Sequence, residues 1–169
     1  MNSLNGEKDE EIKELTYKIN IPLKNWEYYL VLSYFDEIKG PTVIFVYPDI
    51  TENVNEITEN ILFLMDWFGE QTEYAILTTD LGATYNMFFT VKQEGKRDQN
   101  ATMMISLVVM DMPVSALGLF LLAEAPMVSL KNALKQKLEK TTKLEGIDFR
   151  SVHPHIITAW ETFQLLFGP

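Results

Sequence analysis

The sequence predicts an α+β domain: five strands, largely arranged in hairpins, with helices over both faces and elements in the order β-β-α-β-β-β-α-α. Three observations lead there. Trp26–Pro48 holds two apolar runs, Tyr28–Phe35 and Thr42–Tyr47, joined by a polar segment ending in Gly40 and Pro41, the pattern of two antiparallel strands and a tight turn. The first run and Ala101–Met110 are apolar at successive positions, so both faces of each strand need cover and both strands are interior. Finally, Val54–Phe68 and Ser151–Phe167 repeat their apolar residues at helical spacing.

The remaining elements follow in order. Glu7–Glu14 is charged and reads as a short helix or a tail. Ile19–Pro22 is an extended connector, because proline disfavours helix in the residue before it. Thr51 or Asn53 caps the first long helix, whose apolar face is Val54, Ile57, Ile61, Leu64, Met65 and Phe68. Phe63 and Trp67 fall off that face, among Glu56, Glu59, Asn60 and Asp66. Two readings stand for them: a broad helix rim covers them, or they belong to a second contact surface. Gly69 stops the helix. Thr72–Thr79 and Ala83–Val91, separated by Asp80-Leu81-Gly82, form a second hairpin, and a polar loop leads to Ala101–Met110. The last third is helical: Val114–Glu124, a break or kink at Pro126, then Ser129–Lys140 capped by Ser129, and after a Gly146 loop the helix Ser151–Phe167. Domain organisation is expected to be an acidic tail or short helix over residues 1–21 and one domain over 22–169.

Composition narrows the function. A chain of 169 residues buries a proper core, and a formal charge of −10 argues against a nucleic-acid surface, which needs clustered lysine and arginine. The same charge opposes unassisted adhesion to anionic lipid. With no cysteine, disulfides, thiol catalysis and cysteine-ligated metal are excluded. The polar, acidic N-terminus has no secretory character, so a cytoplasmic location is expected and the sequon Asn100-Ala101-Thr102 is discounted. Met103–Ala123 is long enough to span a bilayer, but Asp111 and Pro113 sit in its middle, and a buried strand followed by a helix accounts for it better.

Catalytic patterns are missing. The eight glycines are widely spaced, which leaves no phosphate-cradling loop. His153 and His155 flank Pro154 and are poorly placed to share one metal. Asp36, Glu37, Asp80 and Asp111 lie at strand ends, where turn chemistry explains them. No catalytic, cofactor or metal residue is therefore assigned, and no enzyme activity is expected.

In this order of elements, and in the opening hairpin Phe35-Asp36-Glu37-Ile38-Lys39-Gly40-Pro41 and the strand-to-helix passage Val108-Val109-Met110-Asp111-Met112-Pro113, the chain resembles a longin domain over Trp26–Phe167. That family has a profilin-like five-stranded antiparallel sheet with one helix on one face and two C-terminal helices on the other. The hairpin is also similar to the first hairpin of archaeal longin-like proteins and of the guanine-nucleotide exchange machinery. The roadblock domain shares the sheet but places a helix before the first strand; two C-terminal helical segments and the extended Ile19–Pro22 favour longin.

The resemblance implies a non-enzymatic interaction module of the kind found in vesicle trafficking and in regulators of Ras-like GTPases. It implies partners such as a small GTPase or a longin or roadblock subunit, and pairing as a homo- or heterodimer through the first long helix and the adjacent edge strand. Asn60, Phe63 and Trp67 on the helix and Tyr74 and Ile76 on the strand are the residues placed there. A roadblock-type dimerisation subunit is one alternative. A small-molecule sensor is another, its pocket between sheet and helices lined by methionines such as Met103, Met104, Met110 and Met112, although buried methionine is usually core filler.

Overall fold

The computed structural model describes residues 27–36, 38–48, 52–68, 73–92, 100–139, 150 and 152–167; within the first helix the side chains of 52–55, 57 and 66–68 are not described. The expected cap at Thr51, the stop at Gly69, the acidic tail, the connector and the Gly146 loop lie outside the described residues, as does the side chain of Asn53, the alternative cap, whose backbone lies inside the first helix.

Five strands, β1 (Tyr28–Asp36), β2 (Gly40–Tyr47), β3 (Tyr74–Thr79), β4 (Gly82–Lys92) and β5 (Asn100–Met110), form one antiparallel sheet in the order β2-β1-β5-β4-β3. The helices are α1 (Glu52–Phe68), α2 (Leu119–Glu139) and α3 (His153–Phe167), with a single 3-10 turn at Val114–Ala116 before α2. β1 and β5 are interior neighbours, as their two-faced apolar character requires. The apolar run Met103–Ala123 is most of β5, a turn and the start of α2. No helix among the described residues is long and apolar enough to cross a membrane.

Each interior strand divides its side chains between two cores. Tyr28, Leu30, Leu32 and Tyr34 of β1 join Tyr85, Met103, Ile105 and Leu107 beneath α2 and α3. Phe120, Met127, Leu134, Phe163 and Phe167 fill this core from the helices. The Tyr28 ring lies 4.1 Å from that of Trp160, and burial pushes its phenol up to about 12, so it stays neutral. Tyr29, Val31, Phe88, Met104, Val108 and Met110 make a smaller core with Ile61 and Met65 of α1.

One expectation is corrected. Of the break or kink expected at Pro126 between Val114–Glu124 and Ser129–Lys140, the break is absent: α2 runs from Leu119 to Glu139 with the proline inside it, and Ser129 is an interior residue rather than a cap. Proline removes one intrahelical hydrogen bond at a cost of about 3 kcal/mol. Phe120, Ala123, Met127, Leu130, Leu134 and Leu138 nevertheless form one unbroken buried stripe across it. The five large side chains among them, at about 1.5 kcal/mol or more each, outweigh that cost.

Gly82, which opens β4, is a position where the backbone demands glycine. Its φ is +154°, and a Cβ there would overlap the Val109 carbonyl oxygen and crowd the Met110 Cα. Strand-end carboxylates serve turns. Asp36 Oδ1 accepts from the N–H groups of Ile38 at 2.8 Å and Lys39 at 2.9 Å, and these bonds, with the nearby Lys39 charge, hold its carboxyl below the usual range. Asp111 takes the left-handed conformation, φ 58°, and its N–H donates to the Leu81 carbonyl.

Candidate functional site

The two sheet edges differ in kind. β2 carries Pro41, which cannot donate, and an irregular register opposite Leu32 and Ser33; both features discourage a further strand. β3 reads Tyr-Ala-Ile-Leu-Thr-Thr, with no proline, no charge and a regular register against β4. The Glu73 carbonyl accepts from the Phe88 N–H, so the bonded pairs with β4 fall at alternate residues: Ala75 with Asn86, Leu77 with Thr84. Tyr74, Ile76 and Thr78 consequently turn their main-chain N–H and C=O groups away from β4. Their side chains are exposed too, Tyr74 by 55% and Ile76 by 42%.

β3 is held firmly enough to serve as a template. Asn86 Nδ2 donates to the Ala75 carbonyl at 3.1 Å, and Ala75 and Leu77 pack against the α1 core. On the other face the Tyr74 ring stacks on Tyr85 at 5.8 Å, and Tyr85 on Phe120 at 5.7 Å. Burial, then the charge of Glu124, raises the Tyr85 phenol pKa, so a neutral hydroxyl lies beside this edge at neutral pH.

The residues expected to form one surface form two. Asn60 and Phe63 lie on the outer side of α1, Phe63 64% exposed. Tyr74 and Ile76 project from the opposite face of the sheet, the one that α2 and α3 cover. Phe63 borders a hollow of about 320 Å³ with Pro41, Glu59 and Leu62, which turns it toward β2. The Trp67 side chain lies outside the described residues.

A second hollow, of about 490 Å³, lies between α2 and α3 and is lined by Ser129, Asn132, Gln136, Lys137, Val152 and His155, among others. Neither hollow is lined by methionine: Met103, Met104, Met110 and Met112 are buried in the two cores. His153 is exposed, its ring edge-on to Tyr47 at 5.9 Å. Among the described residues no three of His, Asp or Glu are gathered to hold a metal.

Sequence reasoning missed a polar seam beneath α1. Ser33, Thr84, Asn86 and Ser106 are fully buried and Thr58 nearly so. Asn86 Nδ2 reaches Thr84 Oγ1 at 2.8 Å, but the oxygens Ser33 Oγ, Thr58 Oγ1, Asn86 Oδ1 and Ser106 Oγ have no hydrogen-bond partner among the described residues. The available signal was period: within apolar strands, Ser33 shares a face with Val31, and Ser106 with Met104 and Val108.

Comparison with known proteins agrees with this architecture. No protein-family model and no curated protein matches the chain. Among solved structures, the K. lactis Lst4 longin domain is similar, at 17% identity and a TM-score of 0.51, over 82% of this chain and 94% of that one. The five-stranded antiparallel sheet, the single helix on one face and the C-terminal pair on the other are those expected from the resemblance, and the chain has the longin fold.

Proposed function

We propose that this protein is a non-enzymatic partner-binding module that docks a longin or roadblock subunit, or a small Ras-like GTPase, along the β3 edge. One observation carries the reading: among the described residues β3 is an open edge with none of the devices that blunt β2. A strand added there meets the outward N–H and C=O groups of Tyr74, Ile76 and Thr78, and its alternate side chains meet the exposed Tyr74 and Ile76. Main-chain bonds supply affinity and the side chains select the partner. Similarity in fold to the Lst4 longin domain supports the same class of module, one used in regulation and trafficking rather than in chemistry. The domain is taken as residues 22–169, preceded by the acidic segment, and its location as cytoplasmic.

The test is recovery of partners from the native source with the wild-type chain and with Ile76→Lys, followed by mass spectrometry. A lysine on an edge strand opposes strand addition yet leaves the β3–β4 ladder in place. The expected result is a small GTPase, or a longin or roadblock protein, bound by the wild type and lost from the variant. Equal recovery by both would refute the β3 assignment. The dimer itself is read by light scattering at tens of micromolar: a mass of two chains is expected for self-pairing, and a single-chain mass leaves only the heteromeric form.

A further inference from the structure

We propose that the flank of α1 facing β2 is a second docking site, and that it takes a basic segment of a different protein carrying an apolar side chain that seats between Pro41 and Phe63. The inference rests on the reading of the chain as a partner-binding module and names the chemistry of what meets α1.

Phe63 and Leu62 on the helix and Pro41 on β2 present apolar atoms around the hollow, and Glu59 stands at its wall. Ile38, at the tip of the adjoining hairpin, is 95% exposed on a turn that Asp36 holds in shape through its two main-chain bonds. Only a side chain of apolar character gains by entering such a space, since water leaves it on entry.

Charge decides between occupants. Glu56 and Glu59 lie on the same exposed side of α1 as Phe63, one turn apart. Helix α1 contains Glu52, Glu56, Glu59 and Asp66 and no lysine or arginine. On the hairpin, the Lys39 charge lies close to the Asp36 carboxylate, and the two offset each other. A second copy laid across this flank would bring carboxylates against carboxylates in a chain of net charge −10, and an anionic membrane would be repelled as well. Lysine or arginine beside the inserted side chain, by contrast, pairs with Glu59 at the hollow and with Glu56 one turn along the helix while the apolar group fills it. Apolar centre and charged rim are the ordinary anatomy of an interface.

The experiment titrates the full chain with a short amphipathic peptide of leucine and lysine. NMR methyl shifts of Leu62 report on the hollow and those of Ile76 on the β3 edge. The Leu62 methyls are expected to shift, with weaker binding at higher salt. A peptide of leucine and glutamate is expected to leave them unmoved. Glu59→Lys weakens binding about tenfold, the loss expected for one close charge pair at an interface. Phe63→Ser, an exposed position whose change spares the fold, abolishes the Leu62 response. Shifts confined to Ile76, or Leu62 shifts indifferent to both substitutions, would overturn the proposal. Partner capture that depends on Ile76 but not on Glu59 or Phe63 would likewise remove this site and leave the β3 reading standing.

Discussion

Single residues account for several local constraints. Replacing Gly82 with alanine places a methyl group on the β5 backbone in a conformation that side chains avoid, and is expected to cost about 3 kcal/mol in urea unfolding. The hydroxyl of Ser106 is an opposite case: buried with no partner among the described residues, it carries a desolvation penalty and returns no bond. Ser106→Ala is expected to raise stability by about 1 kcal/mol, and a loss of that size would show the hydroxyl to be bonded. Asp36 predicts a pH dependence. Its carboxyl titrates lower in the folded chain than in the unfolded one, so its contribution is present above the unfolded value and is lost as pH falls through the folded value. The amide shifts of Ile38 and Lys39 should report this titration, with a midpoint below that of an ordinary aspartate. Asp36 was visible in the sequence as a turn former, and Gly82 as a residue between two strands. The overlap that makes Gly82 obligatory was not, since it depends on β5 lying against the turn.

Among elements, strands were more legible than helix continuity. Runs such as Tyr28–Phe35 and Ala101–Met110 announce interior strands because no single-faced burial explains them. Pro126 misleads because a proline's local cost is evident in sequence, whereas the buried stripe that offsets it becomes evident only when α2 is seen on the sheet. Pro126→Ala should restore the missing hydrogen bond and raise the melting free energy by about 1–3 kcal/mol if the helix has not otherwise adapted to the proline. Unchanged or lower stability would mean that the helix depends on the proline's geometry. The edges show a similar limit. That β2 and β3 would be edges follows from the order of elements, but the direction of the Tyr74 and Ile76 side chains follows from register, which the sequence alone leaves open.

At the scale of the whole molecule, one sheet separates two unlike surfaces. On one side of the sheet, α1 offers an acidic flank with Phe63 at a hollow; on the other, Tyr74 and Ile76 flank an uncharged strand edge beside α2. Phe63 stood off the apolar helix face in the sequence and Ile76 was placed beside it only by the family resemblance, yet the sheet stands between them, a separation in space that spacing along the chain does not encode. Strand addition at β3 is the proposed mode of binding. Its most direct measurement is amide hydrogen exchange at Tyr74, Ile76 and Thr78 in the free chain and in the complex with whichever protein it captures. These amides point away from β4, so they should exchange readily when free and become protected on binding, while the amides of Ala75 and Leu77 change little. Unchanged exchange at all three in the complex would contradict strand addition at this edge.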